Sequence, residues 1–383
     1  PIPLASAASW DLEAIEAAER VAGIESTAVG INFNFAPMVD ITRDPRWGRV
    51  AEGAGEDPYL GSLVAAARVR GMQGESLSDP STMAACIKHF AAYGAPAGGR
   101  DYNTVDMSPR LLREIYLPPY KAGIEAGAAT LMTSFNDLNG IPVTGNQRML
   151  RQTLRGEWGF KGMIVSDWQS IGEMIEHGYS ADSLTAARQA LEAGVDMDMM
   201  SDIYLKKIPE LVANGTIDES LVDDAVRRVL RLKWDLGLFD DPYRYSNIDR
   251  EQQQVRTAAH LAKAREVARK SIVLLRNEEK LLPLGKGQKI GVIGPLADSH
   301  ADMNGTWAFF GEPGQTVTFL DGIRAAVGEE NVEYAAGCEL YTDSDALIGG
   351  AMRVARRADV VVAVLGESAV MNGEGASRSN IQI

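Results

Sequence analysis

The chain has 383 residues, 45% of them hydrophobic, and 38 Lys and Arg against 52 Asp and Glu give a net charge of −14. That length suits two domains with separate cores, and the negative balance disfavours nucleic acid and anionic membranes as partners, leaving a neutral ligand as the best fit. Two cysteines without paired spacing, Cys86 and Cys338, argue against a disulfide framework and a zinc site, and no apolar run is long enough to span a bilayer.

The opening PIPLASAASW lacks an initiator Met, and the last residues follow a polar Gly-rich stretch, so the chain reads as a piece of something longer. From residue 31 onward short apolar runs alternate with helical patterns. Strands are expected at 31–40, 84–94, 128–137, 162–168 and 194–200. Each begins apolar and ends polar, as parallel strands buried on both faces do. Patterned helices at 108–127 and 183–194 end in Gly. More than 200 residues of such repeats favour a (β/α)8 barrel over an open sheet, with the active site at the C-terminal ends of its strands.

A last barrel helix is expected at 221–237, with Val222, Val226, Val229, Leu232 and Leu236 on its apolar stripe. The texture then changes. Residues 1–240 are read as the barrel, 241–270 as a polar linker and 271–383 as the first part of a second α/β domain. GVIGPLADS in that domain lacks the G-x-G-x-x-G spacing and reads as an ordinary strand-to-loop transition.

Six polar or aromatic positions fall at strand ends or in loops. Arg49 belongs to ITRDPRWGR, where a solvated ion-pair loop is the default reading, but Pro45, Trp47 and Gly48 suggest a shaped loop that aims a guanidinium inward. Lys88 and His89 end the second strand; each is read as structural or as a sugar-hydroxyl ligand, and a buried Lys88 needs a polar partner. Asp167 is read either as the N-cap of a following helix or as a catalytic carboxylate. Trp168 beside it is core or a platform for the apolar face of a sugar ring. Glu374, in the loop VMNGEGASRSN, is solvated by default and gains interest because glycoside hydrolysis needs a second carboxyl group.

The strings RDPRWGR with EGAGEDPYLG, KHFAAYGAPAGGRDYNTVDMSP, GFKGMIVSDW and AREVARKSIVLLRN closely resemble the family 3 glycoside hydrolases, in particular their bacterial periplasmic β-glucosidase branch. The resemblance covers nearly the whole chain. It implies a TIM-like barrel followed by an incomplete α/β sandwich domain. It also implies a retaining exo-acting β-glucosidase that removes terminal non-reducing β-D-glucosyl residues by double displacement. On that basis Asp167 is the nucleophile and Glu374 the acid/base, with Glu367 of LGES its competitor. Arg49, Lys88, His89 and Trp168 bind the sugar, and Glu52 supports Arg49. Retention requires the two carboxyl groups to lie about 5 to 5.5 Å apart.

The same resemblance implies a barrel strand before residue 1, ending in a sugar-binding Asp, and a completed second sheet after residue 383. The stretch by itself is therefore expected to be poorly stable and nearly inactive. Neither cofactor nor metal is expected; a small carbohydrate is the expected partner, a homodimer is compatible with the sequence, and the setting is periplasmic or secreted. A β-xylosidase or another exo-glycosidase of the family is the near alternative, because pocket size sets the sugar. The N-acetylhexosaminidase branch is disfavoured because no His follows KHF in its loop. A non-catalytic sugar-binding protein on the same fold would need neither Asp167 nor Glu374.

Overall fold

The structure, a computed structural model, describes residues 1–342 and 345–382. It divides into two compact units, Pro1–Val273 and Leu274–Ile383.

The first unit is built on helices started by side-chain caps. In α1 (Leu12–Ala28) Asp11 accepts the Ala14 N–H at 2.9 Å, and in α2 (Pro58–Gln73) Asp57 accepts that of Leu60 at 2.7 Å, with Pro58 at the first helical position, where it has no N–H to waste. α1 packs on α2, and α2 shares a core with a parallel sheet of β1 (Cys86–Phe90), β2 (Thr130–Thr133) and β3 (Met163–Val165) in that order; α3 (Pro118–Glu125) lies between the first two strands in sequence. The register pairs Ile87 with Leu131 and Leu131 with Ile164. These three side chains enter one core with Val69 and Tyr120, while their neighbours Cys86, Met132, Met163 and Val165 enter another with Leu232 and Leu236. The two-residue period of a strand thus feeds two cores, and both faces are buried. Lys88 has the parity of Cys86, and Asp167, just past β3, that of Val165.

Two of the five expected strands are not strands. Residues 31–40 and 194–200 run along the sheet edges without forming continuous strands: they bridge at Phe33 with Ala84, Met38 with Lys88 and Val165 with Met197, and backbone bonds such as Val39 N–H to the Lys88 carbonyl at 2.8 Å and Ser166 N–H to the Met197 carbonyl at 2.9 Å hold them there. Pro37 has no N–H for a ladder, and in the other segment alternate carboxylates are diverted to side-chain partners. Asp196 takes Arg155 and Arg228, each at 2.7 Å, and Asp198 takes the Ser201 hydroxyl at 2.6 Å. Among the described residues the sheet is therefore short and open, flanked on its two edges by these extended segments.

Beyond β3 lie α4 (Ser170–Glu176), α5 (Ser183–Ala193) and α6 (Glu219–Asp235). On α6, Leu232 and Leu236 are buried and Val222 and Val229 pack against the cores, but Val226 is 47% exposed. At about 100° per residue Val226 and Leu232 bound a wide arc, and the helix turns its Leu side inward. The segment 241–270, expected as a linker, instead carries α7 (Ile248–Gln254) and α8 (Ala258–Lys270). Caps at Asn247 and Thr257 start them, and α8 is tied to α1 and its cap by His260 on Glu25 and Lys270 on Asp11. Its polar composition reflects these partners.

In the second unit a parallel sheet has the order β5 (Val332–Ala335), β4 (Ile290–Ile293), β6 (Val360–Ala363). Leu320 of α9 (Phe319–Val327) joins Ile290, Val292 and Val332 in the core, and α10 (Asp345–Arg357) precedes β6. Gly294, in GVIGPLADS, has φ +124°, and a Cβ there would strike the backbone of Val364. That glycine is explained by packing against the end of β6.

Candidate active site

The candidate residues of the first unit converge where β1 and β3 end. Arg49 sits on a tight turn at Gly48–Glu52, fully buried, and its guanidinium engages Glu52 through two bonds, Nε to Oε1 at 2.8 Å and Nη2 to Oε2 at 3.1 Å. Trp47 shapes that turn: it is buried, and its Nε1–H is donated to Asp101 at 2.8 Å. Arg49 also lies over the Tyr93 ring, 5.5 Å from its centre, and Tyr93 meets the edge of His89 at 5.0 Å.

His89 is the hub. Its Nδ1 is 2.9 Å from Asp40 Oδ2, its backbone N–H is donated to the same oxygen at 2.9 Å, and its Nε2 is 3.6 Å from Asp167 Oδ2. That last separation is beyond hydrogen-bond length and leaves the two groups facing each other. Asp167 does not cap α4. The helix begins three residues later behind Gln169, which has φ +58°, and Asp167 Oδ1 instead accepts the Trp168 N–H at 2.7 Å. Ser166 stiffens the approach by accepting the Met199 N–H at 2.8 Å. The buried carboxyl of Asp167 is thus held at a strand end, and the Trp168 side chain beside it is 53% exposed.

Burial dominates the electrostatics. It pushes Asp40 up to about 7 against the hydrogen bonds from Tyr120 and the His89 N–H, and holds His89 well below the usual imidazole range, an effect that Arg49 and Lys88 reinforce. Lys88 is lowered by burial and then by Arg49, with Glu52 and Asp167 opposing. The site therefore holds Asp167 among cationic and neutral hydrogen-bonding groups, suited to gripping sugar hydroxyls around a carboxylate. Among the described residues no three His, Cys, Asp or Glu side chains form a metal-binding group.

Glu374 and Glu367 belong to the second unit, in the segment after β6. Glu367 is ion-paired with Arg378. The sequence reading missed Asp40, Tyr120 and Tyr93. Asp40 carried the signal used for Asp167, an apolar run ending in a carboxylate; Tyr120, inside a helix 31 residues beyond His89, carried none.

The chain belongs to glycosyl hydrolase family 3: the family's N-terminal domain matches residues 1–232 and its C-terminal domain residues 272–383. Among its relatives, the periplasmic β-glucosidase of Salmonella typhimurium is 46% identical over 408 residues, covering 100% of this chain and 53% of that protein. A β-xylosidase of Formosa agariphila is 36% identical over 402 residues, 100% of this chain and 55% of the other. The structure of a Listeria innocua β-glucosidase in complex with glucose superposes with a TM-score of 0.95 at 42% identity, over 99% of this chain and 52% of that one. The chain thus spans about half the length of these relatives and has their mixed α/β fold.

Proposed function

We propose that the protein containing this chain is a retaining, exo-acting β-glucosidase. The finer architecture is part of the proposal: a (β/α)8 barrel in the first unit, and in the second the first part of an α/β sandwich carrying the acid/base loop. Asp167 attacks the anomeric carbon while Glu374 protonates the leaving oxygen; Glu374 then deprotonates the water that releases the sugar. Arg49, Lys88 and His89 hold sugar hydroxyls, Glu52 braces Arg49, and Trp168 offers its exposed face to the ring.

The observation that carries this reading is the buried Asp167 carboxylate just past β3, facing His89 and near enough to Lys88 to feel its charge. A non-catalytic sugar-binding protein would not need this carboxylate, whereas double displacement does. The relatives include xylosidases as well as glucosidases, so β-xylosidase remains the second reading. A periplasmic or secreted setting agrees with the Salmonella relative, and among the described residues no helix is long and apolar enough to cross a membrane.

The test is hydrolysis of aryl β-glucoside and aryl β-xyloside by the full-length protein, with NMR detection of the first anomer released. Preferred turnover of the glucoside with β-glucose appearing first supports the proposal. Preference for the xyloside moves it to the second reading, and α-glucose first contradicts retention.

A further inference from the structure

Asp40 is 2% exposed, and each of its carboxyl oxygens has identifiable partners. Oδ2 accepts the His89 backbone N–H at 2.9 Å and lies 2.9 Å from His89 Nδ1. Oδ1 is 2.5 Å from the Tyr120 hydroxyl oxygen, which is itself 2.6 Å from the His89 carbonyl oxygen. A tyrosine hydroxyl has one proton, and a backbone carbonyl can only accept. With Asp40 ionised, that single proton would face two acceptors, and one of the two short contacts would set lone pair against lone pair.

A proton on Oδ1 satisfies every group at once. The acid O–H is donated to the Tyr120 oxygen, the Tyr120 O–H to the His89 carbonyl, and Oδ2 receives the backbone N–H and Nδ1–H of His89. The charged groups that act on the carboxyl are Arg49 and Glu52 on the turn; Arg49 favours the anion, Glu52 opposes it, and burial exceeds either, while Lys88 acts on His89.

We propose that Asp40 is a neutral carboxylic acid and that, with Tyr120, it positions His89 as the uncharged Nδ1–H tautomer, with Nε2 unprotonated toward Asp167. Nε2 then accepts a hydrogen bond from a substrate hydroxyl, and no imidazolium stands beside the nucleophile to withdraw charge from it. That catalytic consequence rests on the glycosidase reading; the protonation state itself does not.

The chain has four histidines, so long-range proton–nitrogen NMR of the full chain with 15N-labelled histidine resolves them, and His89→Gln assigns the signal in question. Near pH 6 the proposal expects one protonated nitrogen at Nδ1 and one unprotonated nitrogen at Nε2, together with an infrared band from a protonated carboxyl group. Asp40→Asn, whose amide can donate where the acid O–H did, should keep the His89 pattern and lose the Asp40 part of the band, read in the parent-minus-variant difference spectrum, where the general acid Glu374 cancels. Tyr120→Phe should disturb the pattern. An imidazolium, an Nε2–H tautomer or no protonated-carboxyl band in the parent-minus-Asp40→Asn difference spectrum overturns the proposal. Absence of turnover on every glycoside would defeat the glycosidase reading and leave these spectra unchanged.

Discussion

His89 Nε2 stands 3.6 Å from Asp167 Oδ2, and its other ring nitrogen is fastened to Asp40 at 2.9 Å, so a buried histidine links a candidate nucleophile to a second carboxyl group behind it. The strand end that carries Asp167 is therefore braced from behind, through His89, by a carboxyl group that is 2% exposed.

The bracing has a pH signature. Burial raises Asp40 from 3.8 to about 7, so between those values the folded chain keeps a proton that the unfolded chain has released. This contribution to stability is full below the unfolded value and is lost as pH rises through 7; the whole span is worth roughly 4 kcal/mol. His89 runs the other way: its lowered pKa makes it costly to charge, and its contribution is lost as pH falls below its ordinary value of 6.5. Asp40→Asn removes only the first dependence. Urea unfolding should show the variant gaining on the parent by up to about 4 kcal/mol between about pH 4 and pH 8; a constant difference would contradict the raised value.

Glu52→Gln tests the Arg49 turn. The two carboxylate bonds that hold the guanidinium are buried, and a Gln amide would keep one acceptor oxygen while setting its NH2 against a guanidinium N–H. The expected result is a loss of about 2 to 4 kcal/mol of stability and a raised KM with a smaller change in kcat, measured by thermal unfolding and steady-state kinetics.

Asp196 is structural by the same kind of argument. It is buried, receives Arg155 and Arg228 at 2.7 Å each, and accepts the Ile164 N–H at 2.8 Å. Asp196→Ala sets two arginines against each other and should cost about 3 to 5 kcal/mol in urea unfolding. A loss below about 1 kcal/mol would show that solvent reaches the cluster.

Trp168 separates binding from folding. Half of its surface is exposed, so Trp168→Ala should change stability by no more than about 1 kcal/mol while raising KM for a glucoside by roughly tenfold. A large fall in melting temperature would mean that the ring is core.

The strand logic was legible because apolar runs ending in polar residues mark parallel strands: β1 and β3 lie inside the stretches so read, with Lys88 and His89 within β1 and Asp167 two residues past β3. It was less exact at 31–40 and 194–200, where a proline and side-chain-engaged aspartates interrupt the pairing with the sheet edges, and it failed at 241–270, where ion pairs hide two helices behind a linker-like composition. Tyr120 could not be found from sequence. Its role arises from one hydroxyl reaching two oxygens contributed by segments far from it in the chain.

The most direct test of the central claim is a peptide map of the full-length protein after incubation with an activated 2-deoxy-2-fluoro-β-glucoside, whose fluorine slows release of the covalent intermediate while its reactive leaving group lets the intermediate form. A fluoroglucosyl adduct on the peptide containing Asp167 is the expected result, and it would give nucleophile, retention and glucose recognition together. An adduct on another carboxylate, or none in a preparation that hydrolyses aryl glucosides, would contradict Asp167 as the nucleophile.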